Sequence, residues 1–302
     1  MELRHIRYFL AVAEEGNFTR AAARIGIGQP PLSQQIKDLE AEIGTRLFRR
    51  VPHGAELTEA GHAFRASVRG IPGQASAAVH AARRAARGET GSLGIGFTGS
   101  ATFNPIVPSA IRSYRRAFPD VELTLGEANS SGLAAGLRDG SLDAAFLRPG
   151  AVGGDDLQLH LLHEEPMLVA LPGRHPLAGG DEADGIDLAR LLDQSFILTP
   201  RFVGPTLFDA AVEACRAAGF EPMLGQSAPQ MASVLALVAA ELGVSIVPAS
   251  MRQLGLNGVV YRPVAGQAPV ARLAIAHRRG DPSMLVRNFV ANARRTIGQG
   301  GE

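Results

Sequence analysis

The sequence predicts a two-part chain: an N-terminal all-α winged helix-turn-helix continued by a linker helix, then an α/β domain of two lobes. Three observations carry this. From Asn17 to Phe48 two helical patterns flank the turn Gly26-Ile27-Gly28. After Leu93, short apolar runs of strand character alternate with helical periodicities. Finally, Phe118-Pro119 and Phe220-Glu221-Pro222 are each followed by strand, helix and strand, so two similar α/β subdomains are expected.

Composition bounds the rest. With 302 residues and 46% hydrophobic content, the chain can bury more than one core. The single cysteine, Cys215, excludes an internal disulfide framework and a Cys-only metal site, and it fits a reducing compartment. The chain opens on an amphipathic helix pattern and contains no apolar run of about 18 residues, so neither a signal peptide nor a membrane span is expected and the expected location is cytoplasmic. The formal net charge of +1 is unevenly placed: residues 1–88 carry 13 Arg and Lys against 8 Asp and Glu, the remainder 17 against 21. The basic part contains the helix-turn-helix and suits a polyanionic partner.

Leu3, Ile6, Phe9, Leu10 and Ala13 recur at helical spacing, and Gly16 ends that first helix. Asn17 or Thr19 can cap the second, whose Ala21, Ala22 and Ala23 permit close helix approach. Pro30 and Pro31 suit the first turn of a third helix, which Gly44 stops. Leu32, Ile36, Leu39 and Ile43 form its packing stripe, while Pro30, Ser33, Gln34, Lys37 and Ala41 form the opposite face. Ser, Gln and Lys near a helix N-terminus suit base edges and phosphates, as in a recognition helix. A solvated face of a helical hairpin has the same periodicity. Leu47 and Phe48 are core candidates, and Arg49, Arg50 and His53 lie in a basic turn that reads as a wing for phosphates or a minor groove, or as a solvated loop.

From Thr58 to Arg87, Ala60, Phe64, Val68, Ile71, Ala75, Val79, Ala82 and Ala86 step by four and three, a seam suited to pairing with another helix. Gly70, Pro72 and Gly73 interrupt it, and a kink or break is expected near Ile71. Beyond the polar linker Gly88–Ser92, strands are expected at Leu93–Phe97, Val121–Leu125, Ala144–Leu147, Phe196–Leu198 and Val244–Val247, with helices near 105–117, 131–138, 206–218 and 230–241.

The segments flanking the motif are Met-Glu-Leu-Arg-His-Ile-Arg-Tyr-Phe-Leu-Ala-Val-Ala-Glu-Glu-Gly before it and Arg-Leu-Phe-Arg-Arg-Val-Pro-His-Gly-Ala-Glu-Leu-Thr-Glu-Ala-Gly after it. With the motif they closely resemble the N-terminus of LysR-type transcriptional regulators. The resemblance implies a winged helix-turn-helix at 1–58, a linker and dimerisation helix at 59–88, and an effector-binding domain at 89–302. That domain resembles periplasmic solute-binding proteins, with lobe I at about 89–161 and 265–302 and lobe II at about 162–264; the crossings are placed near Leu162 and Val264. It also implies double-stranded DNA, a second copy of the chain in a dimer or tetramer, and RNA polymerase as partners, no cofactor, and no catalysis. The expected DNA-contacting residues are Thr19, Gln29, Pro30, Pro31, Ser33, Gln34, Lys37, Arg49, Arg50 and His53.

Three stretches look ligand-directed: Thr98–Thr102, Asn129–Gly132 and Pro200–Thr206. Each leads from a strand toward a helix N-terminus, where hydroxyls and free N–H groups suit a small organic anion. Ordinary capping by Ser and Thr is the simpler account of any one of them. Gln-Pro-Pro-Leu-Ser at 29–33, Gly-Phe-Thr-Gly-Ser at 96–100, Leu-Arg-Pro at 147–149 and Val-Pro-Ala-Ser at 247–250 resemble regulators of aromatic-acid degradation that sense benzoate or muconate. That resemblance places Ser100, Ser130 and Arg148 at effector carboxylates and Phe202 and Val203 as apolar walls. With Thr98 and Asn129 these are the expected effector-binding residues.

Two motifs are set aside. Gly94-Ile-Gly-Phe-Thr-Gly99 spells a dinucleotide fingerprint, but its glycines fall within a strand, not after one. His160-Leu-Leu-His163 in a strand puts the imidazoles on opposite faces, which argues against a metal site. The competing functional class is a small-molecule binding protein or enzyme whose residues 1–88 only mediate oligomerisation.

Overall fold

The structure is a computed structural model that describes residues 1–150, 155–180 and 184–296. The last six residues of the expected C-terminal domain lie outside the described residues. The chain forms two compact units, residues 1–84 and 85–302.

The first unit begins with α1 (Leu3–Glu15), α2 (Phe18–Ile25) and α3 (Gln29–Ile43). Glycines end all three helices, and Asn17 accepts hydrogen bonds from the Thr19 and Arg20 amides to start α2. Phe9, Ala21, Leu32, Leu39 and Leu47 are fully buried between them. Ile43 departs from the expected packing stripe and is 37% exposed, because it ends α3 where the chain turns away at Gly44. The wing is a hairpin of β1 (Phe48–Val51) and β2 (Gly54–Leu57), with Phe48 opposite Leu57 and Val51 opposite Gly54. It is pinned to the end of α1 by the Ala55 amide donating to Gly16 O. Gly54 permits this approach: a Cβ there would lie 2.0 Å from Gly16 O.

Thr58 caps α4 (Glu59–Val68), and α5 (Ile71–Ala86) follows. The expected break is therefore at 69–70. Arg69 keeps helical torsions, and the ladder lapses where Pro72 has no N–H to offer Val68 O. Of the seam residues, Val68 is buried in the N-terminal core, whereas α5 buries nothing and leaves Val79 49% exposed.

The second unit runs β3 (Gly91–Phe97), α6 (Ile106–Ala117), β4 (Val121–Glu127), α7 (Ser130–Asp139), β5 (Ala144–Leu147), β6 (Leu157–Pro172), β7 (Ser195–Leu198), α8 (Pro205–Ala217), β8 (Met223–Ser227), α9 (Met231–Ala239), β9 (Ser245–Pro248), β10 (Val259–Pro263), β11 (Val270–Arg278) and α10 (Met284–Thr296). In lobe I, β3 pairs in parallel with β4 and β5, and β11 joins β5 to β6 antiparallel. Lobe II gathers β9 and β10 on the far half of β6, with β7 and β8 parallel to each other and bridged to Val244. Each lobe has its own core, around Tyr114, Phe146 and Phe289 in the first and Phe196, Val234 and Ile246 in the second.

The first crossing differs from the expected Leu162. Strand β6 stays paired to β11 through Pro166 and meets β9 at Met167 and β10 at Leu168. One unbroken strand thus serves both sheets and changes partners at its proline, which removes a ladder donor. The chain returns between Pro263 and Val270.

Candidate functional site

In the first unit, α3 and the wing frame a groove lined by Ser33, Lys37, Arg46, Arg49 and Arg50. The expected contact residues Thr19, Gln29, Pro30, Pro31, Gln34, Lys37, Arg49, Arg50 and His53 are exposed, and Ser33 is half-buried. Gln29 Nε2 donates to Ser33 Oγ and Gln34 Nε2 to Asp38 Oδ1, both at 2.8 Å. These bonds orient the side chains and leave the Ser33 hydroxyl proton and the Gln34 carbonyl for an incoming partner. Arg49 pairs with Glu56 across the hairpin, so it is the partly neutralised arginine of the wing. Glu40 near the end of α3 accepts from the Leu47 and Phe48 amides at 2.7 and 3.0 Å and so fixes the start of the wing. The sequence reading missed Arg46; its signal was the basic run Arg46-Leu47-Phe48-Arg49-Arg50.

In the second unit a cavity of about 450 Å³ opens between the lobes. Thr98, Ser100, Asn129, Ser130 and Arg148 line it from lobe I and Val203 from lobe II, so six of the seven residues expected there are together. Phe202 is the exception. It is 80% exposed and absent from the lining, because the turn at 201–203 aims it outward while Val203 faces in.

Three helices, α7, α8 and α9, begin at this cavity. Asn129 caps α7 by accepting from the Gly132 amide at 2.8 Å, so capping does account for that residue. It does not account for the others. Neither α8 nor α9 has a side-chain cap, Thr206 Oγ1 donates instead to Pro149 O, and the 98–102 stretch lies before the start of α6 at Ile106. Uncapped first-turn amides and the positive dipole end favour an anion. The Thr98 side-chain oxygen also lacks a partner although the residue is only 7% exposed. Buried hydroxyls without partners are unusual and cost free energy, so this one is poised to bond a guest.

Arg148 is only 3% exposed. Its Nη1 meets Glu165 Oε1 at 3.1 Å and Arg272 O at 3.3 Å, and its Nε and Nη2 reach Ser100 Oγ and O at 3.4 and 3.3 Å. Burial pulls the guanidinium below its usual basicity, and Glu165 opposes the shift. The arginine is therefore a neutralised organiser of the Ser100 turn, not a bare cationic anchor. Glu165 also accepts from Asn104 Nδ2 at 3.2 Å and from the Ser250 amide at 2.7 Å, joining lobe I to lobe II at the crossing.

Sequence reasoning missed Glu127, Thr199 and the Pro229–Met231 turn, all of which line the cavity. The signal for the last was the echo itself: the turn after β8 corresponds to the Asn129 turn after β4. Among the described residues no cluster of three or more metal-ligating side chains occurs. His160 faces His277 at 3.3 Å and His163 is exposed. Gly94 and Gly96 lie inside β3, where a Cβ on Gly96 would meet Leu133 at 2.5 Å, a reason for glycine that involves helix packing.

A recognition-helix face with a basic wing, followed by a two-lobed binding domain, defines a ligand-responsive DNA-binding regulator. Comparison with known proteins gives the family. Residues 3–62 match the bacterial regulatory helix-turn-helix protein, lysR family, and residues 86–297 match the LysR substrate binding domain. The chain belongs to the LysR family of transcriptional regulators. It is 39% identical over 290 residues to the regulator BudR of Raoultella terrigena, covering 96% of this chain and 99% of that one. Identity to AlsR of Bacillus subtilis is 38%, with 96% and 94% covered, and to BenM of Acinetobacter baylyi 33%, with 95% and 93% covered. The crystal structure of CbnR, a LysR family regulator, superposes with a TM-score of 0.84 at 28% identity, covering 97% of this chain and all of that one. Full-length CbnR with its target DNA gives 0.82, with 98% of this chain and all of that one covered.

Proposed function

We propose that the regulator takes up a small organic anion between the lobes and that occupancy changes how its first unit engages DNA. The observation that carries this is the meeting, in one interlobe cavity, of two uncapped helix N-termini and the unpartnered Thr98 hydroxyl. Thr98, Ser100 and Ser130 donate to the anion, Asn129 and Arg148 hold their turns in place, and Val203 supplies an apolar wall. Within the first unit, Ser33, Gln34 and Lys37 read base edges, Thr19, Gln29, Pro30 and Pro31 sit against the backbone, and Arg49, Arg50 and His53 meet phosphates. The uncovered face of α5 joins two copies of the chain. RNA polymerase is the downstream partner in this scheme and the cytoplasm its setting; among the described residues no helix is long and apolar enough to cross a membrane.

Aromatic-derived acids remain one class of candidate effector. The resemblance at residues 29–33, 96–100, 147–149 and 247–250 supports them, whereas the higher identity to BudR and AlsR than to BenM weakens the narrower assignment. Calorimetry with benzoate, muconate and their neutral amides tests the anion claim, and equal affinity for acid and amide overturns it. A mobility shift on DNA upstream of the gene, with and without the acid that binds, tests the link to DNA.

A further inference from the structure

We infer that Glu127 sets effector specificity by requiring that the anion also carry a hydrogen-bond donor, a hydroxyl or an amine. This rests on the interlobe anion reading above and narrows it. Glu127 ends β4 and lines the cavity beside Gly99, whose added Cβ would stand 2.8 Å from Glu127 Oε1. Its side chain makes no hydrogen bond or ion pair among the described residues. Among the described residues the one cationic side chain in the lining, Arg148, is already neutralised by Glu165. The unpaired charge that faces the guest is therefore negative, on the lobe I wall that also offers the Ser100 and Ser130 hydroxyls.

A carboxylate acts only as an acceptor, so it gains nothing from a second carboxylate and repels one. The opposite wall supplies what Glu127 cannot, the uncapped amides of α8 and α9, and the unpartnered Thr98 hydroxyl adds a donor from lobe I. Donors and one unpaired carboxylate in a cavity of about 450 Å³ match a guest with an acid group and a donor group. A hydroxy acid or an amino acid meets both, whereas a plain acid offers Glu127 no bond and a dicarboxylate sets like charges against each other.

Matched series separate these cases. Full-length protein is titrated calorimetrically with propionate, lactate and alanine, with 3-phenylpropionate, 3-phenyllactate and phenylalanine, and with benzoate and muconate. In at least one matched series a donor-bearing acid should bind roughly tenfold or more tightly than its plain parent, the scale of a hydrogen bond to a charged group. Glu127 is exposed, so Glu127→Gln should fold normally. It should shrink that preference to less than about threefold and tighten any muconate binding by removing a like charge. If plain acids bind as well as their hydroxy and amino partners, or the preference survives in Glu127→Gln, the inference is overturned and the interlobe anion reading stands. If no acid binds, both fall.

Discussion

Glu165 is the residue on which the lobe I wall of the cavity most depends. Its carboxylate accepts from Arg148 Nη1 at 3.1 Å, Asn104 Nδ2 at 3.2 Å and the Ser250 amide at 2.7 Å, and the paired side chains are 4% and 5% exposed. Glu165→Gln keeps the volume and one oxygen for Arg148 and Asn104. It also turns an NH₂ toward the Ser250 amide, donor against donor, and leaves the guanidinium buried without its counter-charge. Breaking a buried ion pair from one side costs about 3 to 5 kcal/mol, a range that already includes most of the unpaired Ser250 amide because the two share one site. At about 2 to 4 °C per kcal/mol for a unit of this size, Tm should fall by roughly 6 to 20 °C. Scanning calorimetry on the full-length protein measures it. Glu165→Leu combined with Arg148→Met should cost less than Glu165→Leu alone, because no charge is then stranded. A Glu165→Gln protein that melts within about 2 °C of the parent refutes the reasoning, since the arginine would then not rely on that carboxylate.

Ser33→Ala and Gln34→Ala should each lower discrimination between operator and random DNA by about 1 to 3 kcal/mol if a bidentate base contact is lost, while Arg50→Ala should weaken binding to all sequences and flatten its salt dependence; titrations at several salt concentrations tell the two apart. Val79→Glu puts a charge on the uncovered face of α5 without touching the N-terminal core, so light scattering should show smaller assemblies with an unchanged first unit. His160 is held below its usual pKa of 6.5, chiefly by burial and then by the fields of His277 and Arg294. The unfolded chain takes up that proton first as pH falls, so the stability His160 contributes is present above about pH 6.5 and lost below it. Melting temperatures between about pH 7 and 5 should therefore decline less steeply in His160→Gln, and identical slopes would remove His160 from the pH dependence.

How much the sequence discloses depends on the range of the interaction. Strands such as Ala144–Leu147 and Phe196–Leu198 and helices such as α6 and α8 were legible because hydrophobic periodicity is a local signal. So were the ligand-directed turns, whose Ser, Thr, Gly and Pro content reports backbone geometry. Strand β6 was legible only in part: it mixes histidines, glutamates and two prolines over 16 residues, since each half answers to a different sheet. The pairing of Arg148 with Glu165 and the exposure of Ile43 and Phe202 come from tertiary contacts or from where a turn aims a side chain, which no local pattern records. The one long-range feature that was readable, the echo between Phe118 and Phe220, reports similar architecture in two lobes and not a direct contact.

The placement of the cavity constrains how occupancy can act. A guest that touches Ser130 in lobe I and the start of α9 in lobe II binds an arrangement in which both walls are in reach, and it favours that arrangement only by its difference in affinity for the alternatives. Two chain segments join the lobes, at Pro166–Met167 and between Pro263 and Val270, and the first carries Glu165 beside it with bonds to both lobes. A change in lobe spacing must therefore be absorbed at these crossings or strain the Glu165 contacts, which makes the carboxylate a brake on opening as well as a support for Arg148. Glu165→Gln should then weaken effector binding even at temperatures where the domain remains folded, because a looser pair of lobes spends less time in the binding arrangement and the apparent affinity falls with that fraction. Reciprocity supplies the check. Whatever factor the effector contributes to operator affinity, saturating operator DNA must contribute to effector affinity, in the parent and in the variant alike. If Glu165→Gln lowers effector affinity while leaving that coupling factor unchanged, the residue supports the site alone; if both fall together, the crossing takes part in the signal.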